Sequence, residues 1–421
     1  MTRIAYLLFF TFTLFSCAKK KEQSTQNEGN SAAVAATDLV PVTQEGVIFY
    51  ANNVDKAFAA ARAQNKPVFV EIYSESCHVC QSFIPIFKEK QVRDFYNTNF
   101  LNYKIEVNSP EFQSFVLARK IFVPSLPLLL YFDQNQNLTH LGMIEADAQK
   151  LIEQGQLAQN PQLRSGSMKK RFEEGEKNTQ FLIDFAMFSK VTMDTVMNRK
   201  AMEIYAQQQP VSSYGSETNF LAIEKLLMDV YNPMGQYFIK NLPQFRKTID
   251  PTRVKNVAEN LVMSSLYSSF GAQYNSAKVL EIRDYLIAAE IHPQVAKNRI
   301  LLPLINAYFR EKAPGKAVAH VNTHLTQVQM KATDYAYLLQ FFNDKCPDAS
   351  YVASAQKWFE NALTLITKNS AEEADLYYSM AVAQKRANNI AEAKKMADQA
   401  LTIARNAKAE TGKIDTFLRT I

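Results

Sequence analysis

The sequence predicts an α/β domain, with a central sheet covered by helices, followed by an all-α region made of helix pairs. Three observations predict this. A run of strand formers, Val68-Phe69-Val70-Glu71-Ile72-Tyr73, stops just before Cys77-His78-Val79-Cys80. Strand and helix signals alternate on either side of that run, from about residue 46 to residue 160. From Ser165 onward the strand signal disappears and helical segments follow one another.

In chain order, Val54 to Asn65 reads as an alanine-rich helix. Val68 to Tyr73 is β-branched, aromatic and mostly apolar, as a strand buried on both faces should be. Cys80 to Lys90 reads as helix, with Phe83, Ile84 and Phe87 at spacings of three and four. A strand at Phe100 to Val107, a helix near Pro110 to Lys120, strands at Leu128 to Phe132 and Leu138 to Met143, and a helix from Asp147 complete the domain.

In the second region, helices are expected at Met168–Glu176, Gln180–Ser189, Met193–Gln208, Thr218–Tyr231, Arg253–Phe270 and Ala277–Glu290, and onward to the end. Pro210, Pro233, Pro243, Pro251, Pro293, Pro303, Pro314 and Pro347 mostly punctuate the breaks. Ala317, Ala355 and Ala393 recur every 38 residues, as do His324, Ala362 and Ala400, each in the second helix of an expected pair. Tyr335, Tyr337, Phe341, Phe342, Tyr377 and Tyr378 stand at helical spacing and are assigned to core ahead of a binding face.

The strand-to-helix junction places Cys77 near a helix N-terminus. Unpaired backbone N–H groups and the positive end of the dipole favour a thiolate there. His78, when protonated, adds to that effect and makes the couple more oxidising. Zinc is the competing use of Cys77, His78 and Cys80, but a structural site takes four ligands and the chain has no second CxxC. His320 and His324 stand one helical turn apart without a third ligand, and His140 and His292 are assigned no chemistry; no metal and no cofactor is expected.

The same residues resemble the thioredoxin superfamily, and the likeness covers roughly Ile48 to Gln159. Pro85 follows Cys80 where that family carries a helix-kinking proline, Val123-Pro124-Ser125-Leu126-Pro127 matches the loop that presents its cis-proline, and Gly142 matches the glycine after the last strand. The resemblance implies a mixed central sheet. It implies that Cys77 is the nucleophile and Cys80 the more buried, resolving thiol. Glu71 becomes a buried acid exchanging a proton with Cys80, Lys104 its modulator, and Pro127 with the Leu126 backbone the support for a substrate chain. The alternative for Glu71 is an exposed edge position. Ser76 departs from the family, which has tryptophan there; the only tryptophan is Trp358. Toward the C-terminus, Asp375 to Ala404 resembles a tetratricopeptide repeat, through Met380, Ala381, Ala393, Ala397 and Ala400.

Composition sets the remaining bounds. With 421 residues, 47% hydrophobic and 21% charged, the chain has room for two or three domains. Its formal charge of +6 is small and forms no basic stripe interleaved with aromatics, so nucleic acid is not an expected partner. Residues 1–17 read as a bacterial lipoprotein signal: Arg3, an apolar run from Ile4 to Phe15, then Leu14-Phe15-Ser16-Cys17, which resembles a lipobox. That run falls short of the roughly 20 residues a membrane span needs. A plain secretory signal is the alternative. Residues 18–45, polar and beginning with Lys19-Lys20-Lys21, read as a tether reaching roughly 30 Å.

With Cys17 lipidated, Cys77 and Cys80 form the close pair, and Cys346 is a structural thiol without a mate. The organisation expected is therefore a signal peptide (1–17), a tether (18–45), a thioredoxin-like domain (46–160) and a helical domain (165–421). The function expected is a lipid-anchored thiol–disulfide oxidoreductase of the bacterial cell envelope, facing the periplasm. Its partners are cysteines of client proteins, a redox partner that reloads it, and a client or partner on the helical domain. The rival is a scaffold lipoprotein whose thioredoxin-like fold has no redox turnover and whose helices carry the function.

Overall fold

The computed structural model describes residues 39–421. The expected signal segment, the lipidation site Cys17 and most of the expected tether lie outside the described residues. The chain divides into two compact units, one running to Phe115 and including Leu126–Leu157, the other joining Val116–Ser125 to Ala158–Ile421.

The first unit holds a five-stranded mixed sheet in the order β1-β3-β2-β4-β5. Its strands are β1 (Phe49–Tyr50), β2 (Val68–Tyr73), β3 (Leu101–Glu106), β4 (Leu128–Phe132) and β5 (Leu138–Gly142). β1 and β2 run parallel to β3, whereas β4 is antiparallel to both β2 and β5. The central place of β2 follows from its composition: Val68, Phe69, Val70 and Ile72 are all 0% exposed. Burying each such side chain stabilises the fold by roughly 2 kcal/mol.

Five helices cover this sheet: α1 (Val54–Ala63), α2 (His78–Lys88), α3 (Lys90–Asn99), α4 (Pro110–Arg119) and α5 (Ala148–Gln159). Strand alternation puts Phe69 and Glu71 on one face of β2 and Val68, Val70 and Ile72 on the other. The Phe69 ring packs on Phe87 of α2, Tyr96 of α3 and Tyr131 of β4 at 6.4, 4.8 and 5.0 Å. Tyr96 donates its hydroxyl to the Leu151 carbonyl of α5 and meets the Tyr131 hydroxyl, both at 2.7 Å. On the opposite face, Phe132 packs edge-on against Phe58 of α1 and Phe115 of α4. Glu71 thus shares a face with α2. A Cβ at Gly155 would stand 2.4 Å from a Phe95 ring carbon, so a larger residue there would force that ring aside where α5 meets α3.

Three features differ from the sequence reading. β1 is two residues long, too short for a periodic signal. α3 is an additional helix: Glu89 takes an extended conformation that ends α2, and helix resumes at Lys90 with only Val92 and Tyr96 buried among polar residues. The hydrogen-bonded fold also reaches back at least to Pro41, inside the expected tether, because Pro41 bridges Tyr50 and Val42 donates to the Phe49 carbonyl at 2.8 Å. Thr43 closes that turn, accepting the Phe49 N–H and donating to the Val47 carbonyl, both at 2.8 Å. Side-chain-to-backbone bonds of this kind leave no apolar pattern to read.

Beyond Ser165 the second unit is helical throughout. Asn178, Asp194, Ser216, Asn232, Asp250, Asn275 and Ser370 cap helix N-termini through their side chains. Pro233, Pro251, Pro293 and Pro314 occupy first turns, where a missing N–H is harmless. Pro303 is different: it lies inside the helix Pro293–Arg310 and ends nothing. Pairs then follow: Pro293–Arg310 with Pro314–Leu325, Ala332–Lys345 with Val352–Leu363, and Ala371–Arg386 with Ile390–Asn406. Ala317, Ala355, Ala362, Ala393 and Ala400 lie in the second members at 0% exposure, and His324 at 6%. Tyr335 and Phe342 are core, while Tyr337 is 49% exposed. The region is all-α and repeat-like.

Candidate active site

The junction of β2 and α2 builds the site. β2 ends at Tyr73, and the Ser74 carbonyl accepts the Cys77 N–H at 3.1 Å, turning the chain. Cys77 is the N-cap of α2, and its sulfur accepts the backbone N–H of Cys80 at 3.2 Å. A sulfur in a cap position meets donors that the first helical turn leaves unpaired, an arrangement that favours negative charge. The Leu126 carbonyl lies 3.7 Å from the same sulfur, and the Leu126–Pro127 peptide is cis. Cys77 is half-buried and Cys80 is 3% exposed, and both are free thiols.

Burial separates the two sulfurs chemically. It pushes the Cys80 thiol up to about 12, helped by the hydrogen bond with Cys77, while a hydrogen bond with the Ser74 backbone pulls the other way. Glu71 is 6% exposed, and burial raises its carboxyl to about 7, Lys104 opposing that rise. Lys104 stands beside Glu71 in the β2–β3 register, and its ammonium lies 5.2 Å from the centre of the Tyr73 ring. Glu71 in turn raises the Cys80 thiol through its charge. The arrangement combines a reachable sulfur, a shielded sulfur that needs a base to ionise, and a carboxyl group placed near neutrality.

Of the residues singled out from sequence, Cys77, Cys80, Leu126 and Pro127 therefore converge, with Glu71 and Lys104 behind them. Glu71 is buried, not on an exposed edge. His78 and Val79 face solvent, Val79 at 50% exposure. Pro85 lies inside α2, which continues to Lys88 and breaks at Glu89. His140 is core: it is 5% exposed, hydrogen-bonded to Gln154 at 3.0 Å, and held by burial down to about 4. Among the described residues, no three His, Cys, Asp or Glu side chains form a group able to hold a metal ion. Sequence reasoning passes over Ser74 and reads Ser76 only as the residue standing where the family has tryptophan, yet their hydroxyls meet at 3.0 Å; nothing in the sequence marks them as a pair.

A family model described as thioredoxin-like matches residues 49–134, about a fifth of the chain. No curated protein matches the chain. Among solved structures, a disulphide isomerase from Xylella fastidiosa Temecula1 is similar at 16% identity and a TM-score of 0.19, over 29% of this chain and 88% of that one. With the mixed sheet and the CxxC at the start of α2 in place, residues 49–134 match a thioredoxin-like domain, carried in one chain with a long all-helical region.

Proposed function

We propose that the chain is a thiol–disulfide oxidoreductase acting on cysteines of other proteins through Cys77 and Cys80. The observation that carries this reading is the Cys80 N–H held on the Cys77 sulfur, with the buried Glu71 on the same face of the sheet. In the reducing direction, the Cys77 thiolate attacks one sulfur of a client disulfide. A mixed disulfide forms and the other client sulfur leaves as a thiolate. Glu71 then takes the proton of Cys80, whose sulfur attacks Cys77. The Cys77–Cys80 disulfide forms, the client leaves as a dithiol, and two electrons have passed to it. The same steps in reverse oxidise a client dithiol. Leu126 and Pro127 support the client backbone beside the sulfurs, and the helical region holds the client or redox partner.

The lipobox-like first 17 residues support a location. A lipid on Cys17 anchors the protein to the bacterial cell envelope, with the folded part facing the periplasm. None of the described helices is long and apolar enough to cross a membrane. The test of activity is insulin reduction with dithiothreitol, comparing wild type with Cys77→Ser. Faster turnover by wild type is expected; equal rates hand the function to the helical region.

A further inference from the structure

Between the strand that carries Glu71 and the helix capped by Cys77 lie three residues, Ser74, Glu75 and Ser76. Glu75 and Ser76 are exposed, but Ser74 is only 6% exposed. Its hydroxyl is not idle there: it lies 3.0 Å from the Ser76 hydroxyl and accepts the Ser76 N–H at 3.3 Å. A buried hydroxyl left without partners destabilises a fold, so this pair is a fastener of the turn. The Ser74 main chain touches both thiols' residues, its carbonyl on the Cys77 N–H at 3.1 Å and its backbone hydrogen-bonded to the Cys80 thiol.

We propose that Ser74 is a positioning residue of the dithiol: its hydroxyl locks the turn onto Ser76 and so aims its own main chain at Cys77 and Cys80. The inference rests on the redox reading of that pair. A three-residue turn joins a rigid strand to a helix whose cap is the attacking sulfur. Loosening the turn therefore shifts Cys77 against the strand and lengthens its bond to the Cys80 N–H, 3.2 Å when closed. That bond is strongest to a charged sulfur, so the reduced state loses stability relative to the disulfide. The couple becomes more reducing, with the same two electrons and two protons exchanged against oxidised glutathione.

The test measures two quantities in the full chain for Ser74→Ala, Ser76→Ala, their double variant and Ser74→Thr. One is the dithiol–disulfide equilibrium in glutathione buffers; the other is the rate of Cys77 alkylation by iodoacetamide. Each alanine variant is expected to move the equilibrium about three- to tenfold toward the disulfide, roughly 15–30 mV for a two-electron couple. Alkylation should slow by a similar factor. The double variant should be no worse than Ser74→Ala, since the hydroxyls act as one unit. Ser74→Thr keeps the hydroxyl and should stay near wild type. Wild-type values for Ser74→Ala, or shifts that simply add, overturn the proposal. Ser76→Ala changes an exposed residue and answers the same question should Ser74→Ala not fold. A wild type that forms no disulfide sinks the redox reading alone, because the alkylation rate still decides the role of Ser74.

Discussion

Cys80 donates its backbone N–H to the sulfur of Cys77 across 3.2 Å. One residue thus serves the site twice, its main chain supporting the outer sulfur while its own thiol, shielded by burial, is pushed up to about 12. The pair is asymmetric by construction: one sulfur is reachable, and the other has to be deprotonated from within the fold. The consequences can be separated by experiment.

The trapping consequence concerns Cys80 directly. Cys80→Ser keeps the attacking sulfur but removes the resolving one. It should accumulate a mixed disulfide with a client through Cys77, visible by non-reducing electrophoresis and released by dithiothreitol. Cys77→Ser should accumulate none. Equal trapping by the two variants would contradict the assignment of roles.

Glu71 should control the resolving step. With its carboxyl raised to about 7 by burial, it is positioned to accept a proton near neutral pH. Glu71→Gln keeps the shape and removes the base, so resolution of a preformed mixed disulfide should slow by about 100-fold or more. In stopped-flow measurements wild type should show an inflection near pH 7 that the variant lacks. An unchanged profile would assign the inflection elsewhere.

The same carboxyl links stability to pH. Its pKa is raised in the fold, from 4.5 to about 7, so the folded state binds more protons than the unfolded one between those values. The stability it allows is present below about pH 4.5 and is lost as pH rises through 7. A tenfold change in an ionisation constant is worth about 1.4 kcal/mol, so reduced wild type should lose up to about 3 kcal/mol between pH 4.5 and 8 that Glu71→Gln does not lose. Urea titrations at the two pH values check this, and parallel behaviour of the two proteins would show that Glu71 is not the linked group.

In the helical region, Ala397 is 0% exposed and packs with Ala381 and Ala393 between the last paired helices. Ala397→Leu places a branched side chain where the helices meet. It should destabilise that region by about 1–3 kcal/mol, read from its thermal transition, and leave the alkylation rate of Cys77 unchanged. No loss of stability would mean that the small residues are not a packing requirement.

Legibility in the sequence differs from element to element. β2 and the cysteines behind it are readable because a strand buried on both faces has no polar alternation to obscure it, and Val68 to Tyr73 matches the observed strand. α3 escapes because its buried residues are Val92 and Tyr96 alone, too few to set a period against a polar background. Pro303 misleads because proline ends most helices; here it sits within eighteen helical residues that tertiary packing holds together. Cys77, Cys80, Leu126 and Pro127 can be named from their spacing and their likeness to a family. The Ser74–Ser76 pair cannot, since two serines in a turn look the same in sequence whether their hydroxyls meet each other or water.

The most direct test of the central claim is the equilibrium of the purified protein with glutathione buffers of graded composition, followed by the mass of alkylated intact protein. The account predicts that Cys77 and Cys80 convert reversibly and together between dithiol and disulfide, with one midpoint, and that either serine variant abolishes the transition. A pair that stays reduced at every buffer composition, or two cysteines that oxidise independently, would contradict it.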